Sequence, residues 1–336
     1  MKAIKHILVI MLALLACNSY GQYYTSKANE CYKQKDYECA QNYIDSAIVS
    51  NERFNSQTWQ LRGLIYRKLE GSEIKDARNI SIESFVQARN LDTAGVYEEQ
   101  ITNFLRNTII RYYNDAVVAL DNGMPDQSEN AYVLYKGKYK KYISADYDFT
   151  KSDIEYYSAL GGEYLKQAAG SQGEEKNKLI SKGVHFYKMV LDQDSTIFQP
   201  NFNIGITFYN QGADLIMNMD PLTEIEEIPI IEEKAQNLFR KALPFLHRAY
   251  KLDKDRIDVI EAITGCYYGL QDNENYLEYQ TILDKKNLPI LLEKLKDNPT
   301  DKTVLRELIR IYRDTLKDEE KYKEYYERLE RIESNE

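Results

Sequence analysis

The side chains best suited to chemistry in this sequence are few, and their spacing does not favour it. Past residue 6 there are only two histidines, His185 and His247, far apart and each without a neighbour at metal-ligand spacing. The chain lacks Gly-x-Ser-x-Gly, His-Glu-x-x-His, Cys-x-x-Cys and a phosphate-cradling glycine loop. Gly161 and Gly162 have neither a preceding strand nor a following lysine at the required spacing, so they read as close helix packing rather than a phosphate site. Glu226, Glu227, Glu232 and Glu233 could collect a divalent cation. No Asp-rich loop with a central glycine accompanies them, however, and a solvated acidic loop is the plainer reading. No catalytic residue, metal or cofactor is expected.

The remaining reactive and charged groups point toward binding. A basic run, KGKYKKY over 136–142, interleaves Tyr139 and Tyr142 with Lys136, Lys138, Lys140 and Lys141. It would suit an acidic partner or phosphate groups, although a solvated helix face is the plainer reading. The whole chain has a formal charge of −9. That surface is poorly matched to nucleic acid, whose binding is driven by clustered Lys and Arg releasing counterions from phosphate. Tyrosine is the compositional outlier at 29 residues, several in doublets such as 156/157 and 267/268. Its ring packs between helices while its hydroxyl reaches water or a partner, a property used at recognition surfaces. Apart from Cys17, the cysteines are Cys31, Cys39 and Cys266, an odd set that describes no disulfide framework. One pair, Cys31 with Cys39, flanks a single tight turn and could bond within the narrow Cα window such a bridge needs.

The first 21 residues read as a secretory leader: Lys2 and Lys5, an apolar run from Ile7 to Ala16, then the small residues Ser19 and Gly21. Two processing readings stand. Cleavage after Gly21 would release a periplasmic protein. Alternatively, Leu14 to Cys17 resembles a bacterial lipobox, in which Cys17 is lipidated and anchors the chain to a membrane. Either way the chain is expected to be exported to the bacterial cell envelope. No later stretch approaches the ~20 apolar residues a membrane-crossing helix needs.

Helices must position everything else. Prolines and glycines are sparse, and stretches such as 98–121 contain neither. The class is all-α. In KDYECAQNYIDSAI (35–48), Ala40 and Ala47 stand one heptad apart on an apolar face, which predicts another helix packed closely against them. Ala28 lies opposite Ala40, with Asp36 and Tyr37 at the turn between. Trp59, Gly63 and Tyr66 repeat the first-helix spacing, and Phe85, Ala88, Leu91 and Asp92 the close of the second. Ala242, Leu246, Ala249, Leu252 and Asp253 close a later unit, after Gly205 and Phe208. These positions resemble the tetratricopeptide repeat, a pair of antiparallel helices of about 34 residues. The resemblance implies a right-handed α-solenoid of about six stacked helix pairs without β-sheet.

The organisation expected is a leader over 1–21, two repeats over 22–95, degenerate helical repeats over 96–192, and further repeats over 193–336. That last part carries an acid- and isoleucine-rich insertion, 219–233, and ends in a capping helix. Pro244 predicts a kink near residue 240. The resemblance also implies a concave, non-catalytic binding surface for a protein or peptide partner. The Lys/Asn carboxylate clamp of some family members is missing, because Thr25 and Leu61 occupy two of its positions. Groove-lining positions fall on Gln60, Leu64 and Arg67, and on Phe202, Ile206 and Tyr209. The functional expectation is a scaffold or adaptor. The alternative is an envelope hydrolase or remodelling enzyme with an acidic pocket that sequence motifs do not reveal.

Overall fold

A computed structural model describes residues 22–334. The leader and Cys17 lie outside the described residues. Within them the protein is all helix, with no strand, and it divides into two compact units that meet in sequence at Asp148 and Phe149.

The first unit contains α1 (Tyr23–Lys33), α2 (Tyr37–Val49), α3 (Ser56–Lys68), α4 (Ala77–Leu91), α5 (Glu98–Asp121) and α6 (Pro125–Tyr142). The second contains α7 (Thr150–Ala169), α8 (Gly173–Gln193), α9 (Phe198–Met217), α10 (Ile228–Leu252), α11 (Ile257–Gly269), α12 (Asn273–Asp297), α13 (Lys302–Arg310) and α14 (Glu319–Glu333). Consecutive helices pack as antiparallel pairs, and within each unit successive pairs stack, α2 on α3 and α10 on α11. Among the described residues there are seven pairs rather than about six: two over 22–95, two over the degenerate stretch 96–192 and three over 193–334.

One turn design recurs within the pairs. Lys35, Gln271 and Lys317 are left-handed, with φ of 64°, 59° and 55°. Each is followed by an aspartate, Asp36, Asp272 or Asp318, whose side chain accepts from the N–H of the third residue of the next helix, Cys39, Asn275 or Lys321. The backbone N–H of each aspartate also bonds back across the end of the preceding helix, Asp36 to Cys31 O at 3.0 Å and Asp272 to Tyr267 O at 3.0 Å. Such bonds satisfy carbonyls that the helix end leaves open. A helix stop and a helix start are thereby written into about six residues. In the first of these turns, Cys31 and Cys39 form a disulfide with their Cα atoms 5.8 Å apart.

The small residues sit where close packing needs them. Ala28, Ala40 and Ala47 are fully buried in the first core, as are Ala242 and Ala249 in the core of α10 and α11. The pair α7/α8 lacks the alanine pattern but packs by exchange. Tyr187 replaces the small residue on α8, and its ring lies where Gly161 of α7 leaves room, about 3.3 Å from the position a Cβ there would take. The Gly161–Gly162 pair is helix packing.

Helix α1 begins against a buried carboxylate. Glu52, in the short 3-10 turn Asn51–Phe54, accepts from the N–H of Tyr24 at 2.9 Å, the N–H of Thr25 at 2.8 Å and the Thr25 hydroxyl at 2.6 Å. In the second unit, residues 219–227 form an exposed loop and 228–233 the first turns of α10, so the insertion is both loop and helix extension. Helix α10 continues past Pro244 to Leu252. No helix among the described residues is long and apolar enough to cross a membrane.

Candidate partner-binding site

Helix α3 buries one face through Thr58, Leu61, Ile65 and Tyr66. That leaves positions 64, 67 and 68, at i, i+3 and i+4, on a neighbouring face. Leu64, Arg67 and Lys68 line a depression of about 460 Å³, completed by Tyr32 of α1, Glu70 after α3 and Arg111 of α5. Three consecutive helix pairs therefore contribute to one hollow.

The charges in this hollow are unequal. Glu70 is held by Arg78 Nε at 2.5 Å and faces Arg111 Nη1 at 2.7 Å across its second oxygen. Arg78 also binds Asp115 at 2.6 Å. Two arginines and two carboxylates thus neutralise one another along the wall. Among the described residues, Arg67 and Lys68 have no acidic partner. Two cations remain in surplus, on a chain whose overall charge is −9. Both sit in the last turn of α3, where the helix dipole also favours them. Tyr32 supplies an aromatic wall. Burial, with a smaller push from Tyr37, raises its hydroxyl above the ordinary tyrosine range, against a downward pull from Arg67. It stays a neutral hydrogen-bonding group at physiological pH. The site can hold an acidic side chain or terminus at Arg67 and Lys68, and an apolar one against Tyr32 and Leu64.

Of the expected groove residues in the first unit, Leu64 and Arg67 belong to this depression. Gln60 is buried, and its Nε2 has no hydrogen-bond partner among the described residues. Tyr32, Lys68 and Arg111 were not anticipated. Lys68 could have been found by extending the face one residue, whereas Tyr32 and Arg111 come from other pairs and carry no local signal.

The second expected set lies in the other unit, largely inside a seam. Phe202, Ile206 and Tyr209 are half-buried against the core formed by Phe239, Leu246 and Ile263. Phe202 stacks on Phe198 at 5.8 Å, and Arg256 lies over both rings at 5.4 and 4.9 Å. The Tyr209 ring fills the place a Cβ on Gly265 would take, its hydroxyl 2.5 Å from that point. Much of this apolar surface is therefore committed to neighbouring helices.

The other candidates are also placed. His247 of α10 bridges two hydroxyls, Tyr267 at 2.9 Å and Tyr279 at 3.1 Å, and burial, then Lys251, lowers its pKa. It is a packed neutral histidine at pH 7. His185 is exposed on α8. Glu226, Glu227 and Glu233 are exposed, and no cluster suited to a metal ion occurs among the described residues. In the basic run, Tyr139 is buried, while Lys138 lies over the Tyr112 ring at 5.5 Å.

No protein-family model matches this chain, and no curated protein matches it. Among solved structures, a monomeric mutant of IFIT1 with Gppp-AAAA is 14% identical over 96% of this chain and 78% of that one, with a TM-score of 0.30. The human IFIT1 dimer with PPP-AAAA is 16% identical over 89% and 69%, also at 0.30. Likeness at this level assigns the chain neither a family nor a ligand.

Proposed function

We propose that this chain is a non-catalytic helical scaffold that docks an acidic, partly apolar segment of a protein partner in the hollow formed by Tyr32, Leu64, Arg67, Lys68 and Arg111, and that it does so in the bacterial cell envelope. The observation that carries this reading is the pair of surplus cations beside an aromatic and an aliphatic wall, on a chain that is otherwise acidic. Charge of this kind steers an acidic partner and fixes its register, while the apolar walls supply area. The single carboxylate in the hollow is held between two arginines, an arrangement that suits structure better than proton transfer.

The address is supported by the leader sequence and by the Cys31–Cys39 bond, since disulfides persist in oxidising compartments. Intact-mass measurement of the processed protein separates a chain starting at Gln22 from one lipidated at Cys17. An unprocessed Met1 would refute both. The binding reading is tested with a fluorescent peptide of alternating Glu and Leu, titrated with the processed chain. Binding should weaken at least tenfold in Arg67→Glu/Lys68→Glu and fall with added salt, as expected for exposed charges. Undiminished binding in that variant would remove the hollow from the site.

A further inference from the structure

The segment joining α9 to α10 combines two properties that rarely persist together on a free surface. Met217, Leu222 and Ile225 are 82%, 88% and 80% exposed, and a run of large exposed apolar side chains of this kind marks an interaction site. The same segment is uniformly acidic. No Lys, Arg or His stands between Lys188 and Lys234, while Asp220, Glu224, Glu226, Glu227, Glu232 and Glu233 all fall within 219–233. An anionic lipid surface or a nucleic acid would be repelled. The occupant must be cationic and offer apolar walls.

The chain itself carries such a face. The hollow in the first unit sets Arg67 and Lys68, both without acidic partners among the described residues, beside Tyr32 and Leu64. We propose that segment 219–233 of one copy docks in the Tyr32, Leu64, Arg67, Lys68 and Arg111 hollow of a second copy. This rests on the scaffold reading above and names its partner segment. Glu226 and Glu227 meet Arg67 and Lys68, and Leu222 or Ile225 covers the Tyr32 and Leu64 walls. The two surfaces differ, so the contact is heterologous. Each docked pair leaves one hollow and one segment free, and copies add head to tail.

The test uses the full processed chain and two charge-reversed variants, Arg67→Glu/Lys68→Glu and Glu226→Lys/Glu227→Lys, with helical content checked by circular dichroism. Sedimentation velocity should show the parent gaining mass with concentration and returning to monomer in high salt. Each variant alone should associate at least tenfold more weakly. An equimolar mixture of the two should recover association, because the acidic segment of the first meets the intact hollow of the second. A parent that stays monomeric at every concentration overturns the proposal, as does a mixture that stays monomeric. A labelled peptide of residues 219–233, compared with its scrambled form, separates the two levels of the argument. If the Glu-Leu peptide binds the hollow and the segment peptide does not, self-docking fails and the scaffold reading stands. If neither binds, both fail.

Discussion

Gly63 offers a sharp test of how the helix pairs are held. A Cβ added there would stand 2.5, 2.7 and 2.7 Å from three carbons of the Phe85 ring, about 1 Å inside ordinary carbon contact. The ring has little freedom to retreat, because Phe85 is fully buried and stacks on Phe104 at 5.4 Å. Overpacking a core costs about 1–3 kcal/mol, and three overlapping atoms against an immobile ring place this case in the upper half. Replacing glycine by alanine in a helix interior returns about 1 kcal/mol. Gly63→Ala should therefore destabilise the first unit by about 1–2 kcal/mol. Trp59, the only tryptophan, lies one turn away on the same helix with its indole N–H bonded to Arg53 O at 2.7 Å. Its fluorescence in a urea titration reads the melting of that unit directly. Pairing Gly63→Ala with Phe85→Leu should give a coupling of roughly 1 kcal/mol or more in the relieving direction. A Gly63→Ala protein as stable as the parent, or a strictly additive cycle, would refute this packing.

Other positions make separate demands. Replacing Cys31 and Cys39 by serine opens a bridge across eight residues and should lower stability by roughly 2–3 kcal/mol, read as a lower urea midpoint. Ala249, fully buried between α10 and α11, should cost roughly 1–3 kcal/mol as Ala249→Leu, and an unchanged melting temperature would count against its placement. Asp284 is buried on α12. Burial pushes its pKa up, but Arg310, Thr315 and Gln280 bond to it and outweigh burial, holding it below the usual carboxylate range. A depressed carboxylate gives stability that is present above its unfolded pKa, near 3.9, and lost as pH falls through the folded value. Asp284→Asn should therefore cost roughly 2–3 kcal/mol at pH 7, less than a fully buried pair because Arg310 is a third exposed. The difference from the parent should shrink below about pH 4, and a pH-independent difference would be evidence against the ion pair.

The sequence revealed features whose physics is local or periodic. Small residues at heptad spacing, Ala40 with Ala47 and Ala242 with Ala249, can serve only a close helix contact, and all four are buried. Aspartates at turns are helix caps, and Asp36, Asp272 and Asp318 act as such. Less readable were the exchanges in which a large side chain on one helix uses space left by glycine on another. Tyr187 over Gly161, Tyr209 over Gly265 and Phe239 over Gly269 need the partner's register before either residue has meaning. Phe202, Ile206 and Tyr209 look like a free apolar face in one helix, and only the neighbouring helices show how much of that face is used.

The hollow in the first unit has the same origin. Leu64 and Arg67 follow from the face of α3 that its core does not use, but the hollow exists because Tyr32 and Arg111 arrive from the pairs on either side. Its charge is likewise a property of the assembled wall. Counted along the sequence, Arg67, Lys68, Glu70, Arg78, Arg111 and Asp115 give a weakly positive mixture without direction. In the fold, Glu70 and Asp115 are consumed by Arg78 and Arg111, and the surplus is concentrated on two side chains one residue apart. A binding surface in stacked helix pairs is thus decided by which charges the stacking has already paired. For this reason Arg67→Gln/Lys68→Gln should weaken binding with little change in the urea midpoint, whereas Arg78→Ala, which takes one arginine from Glu70 and leaves more of that carboxylate to offset Arg67 and Lys68, should lower both.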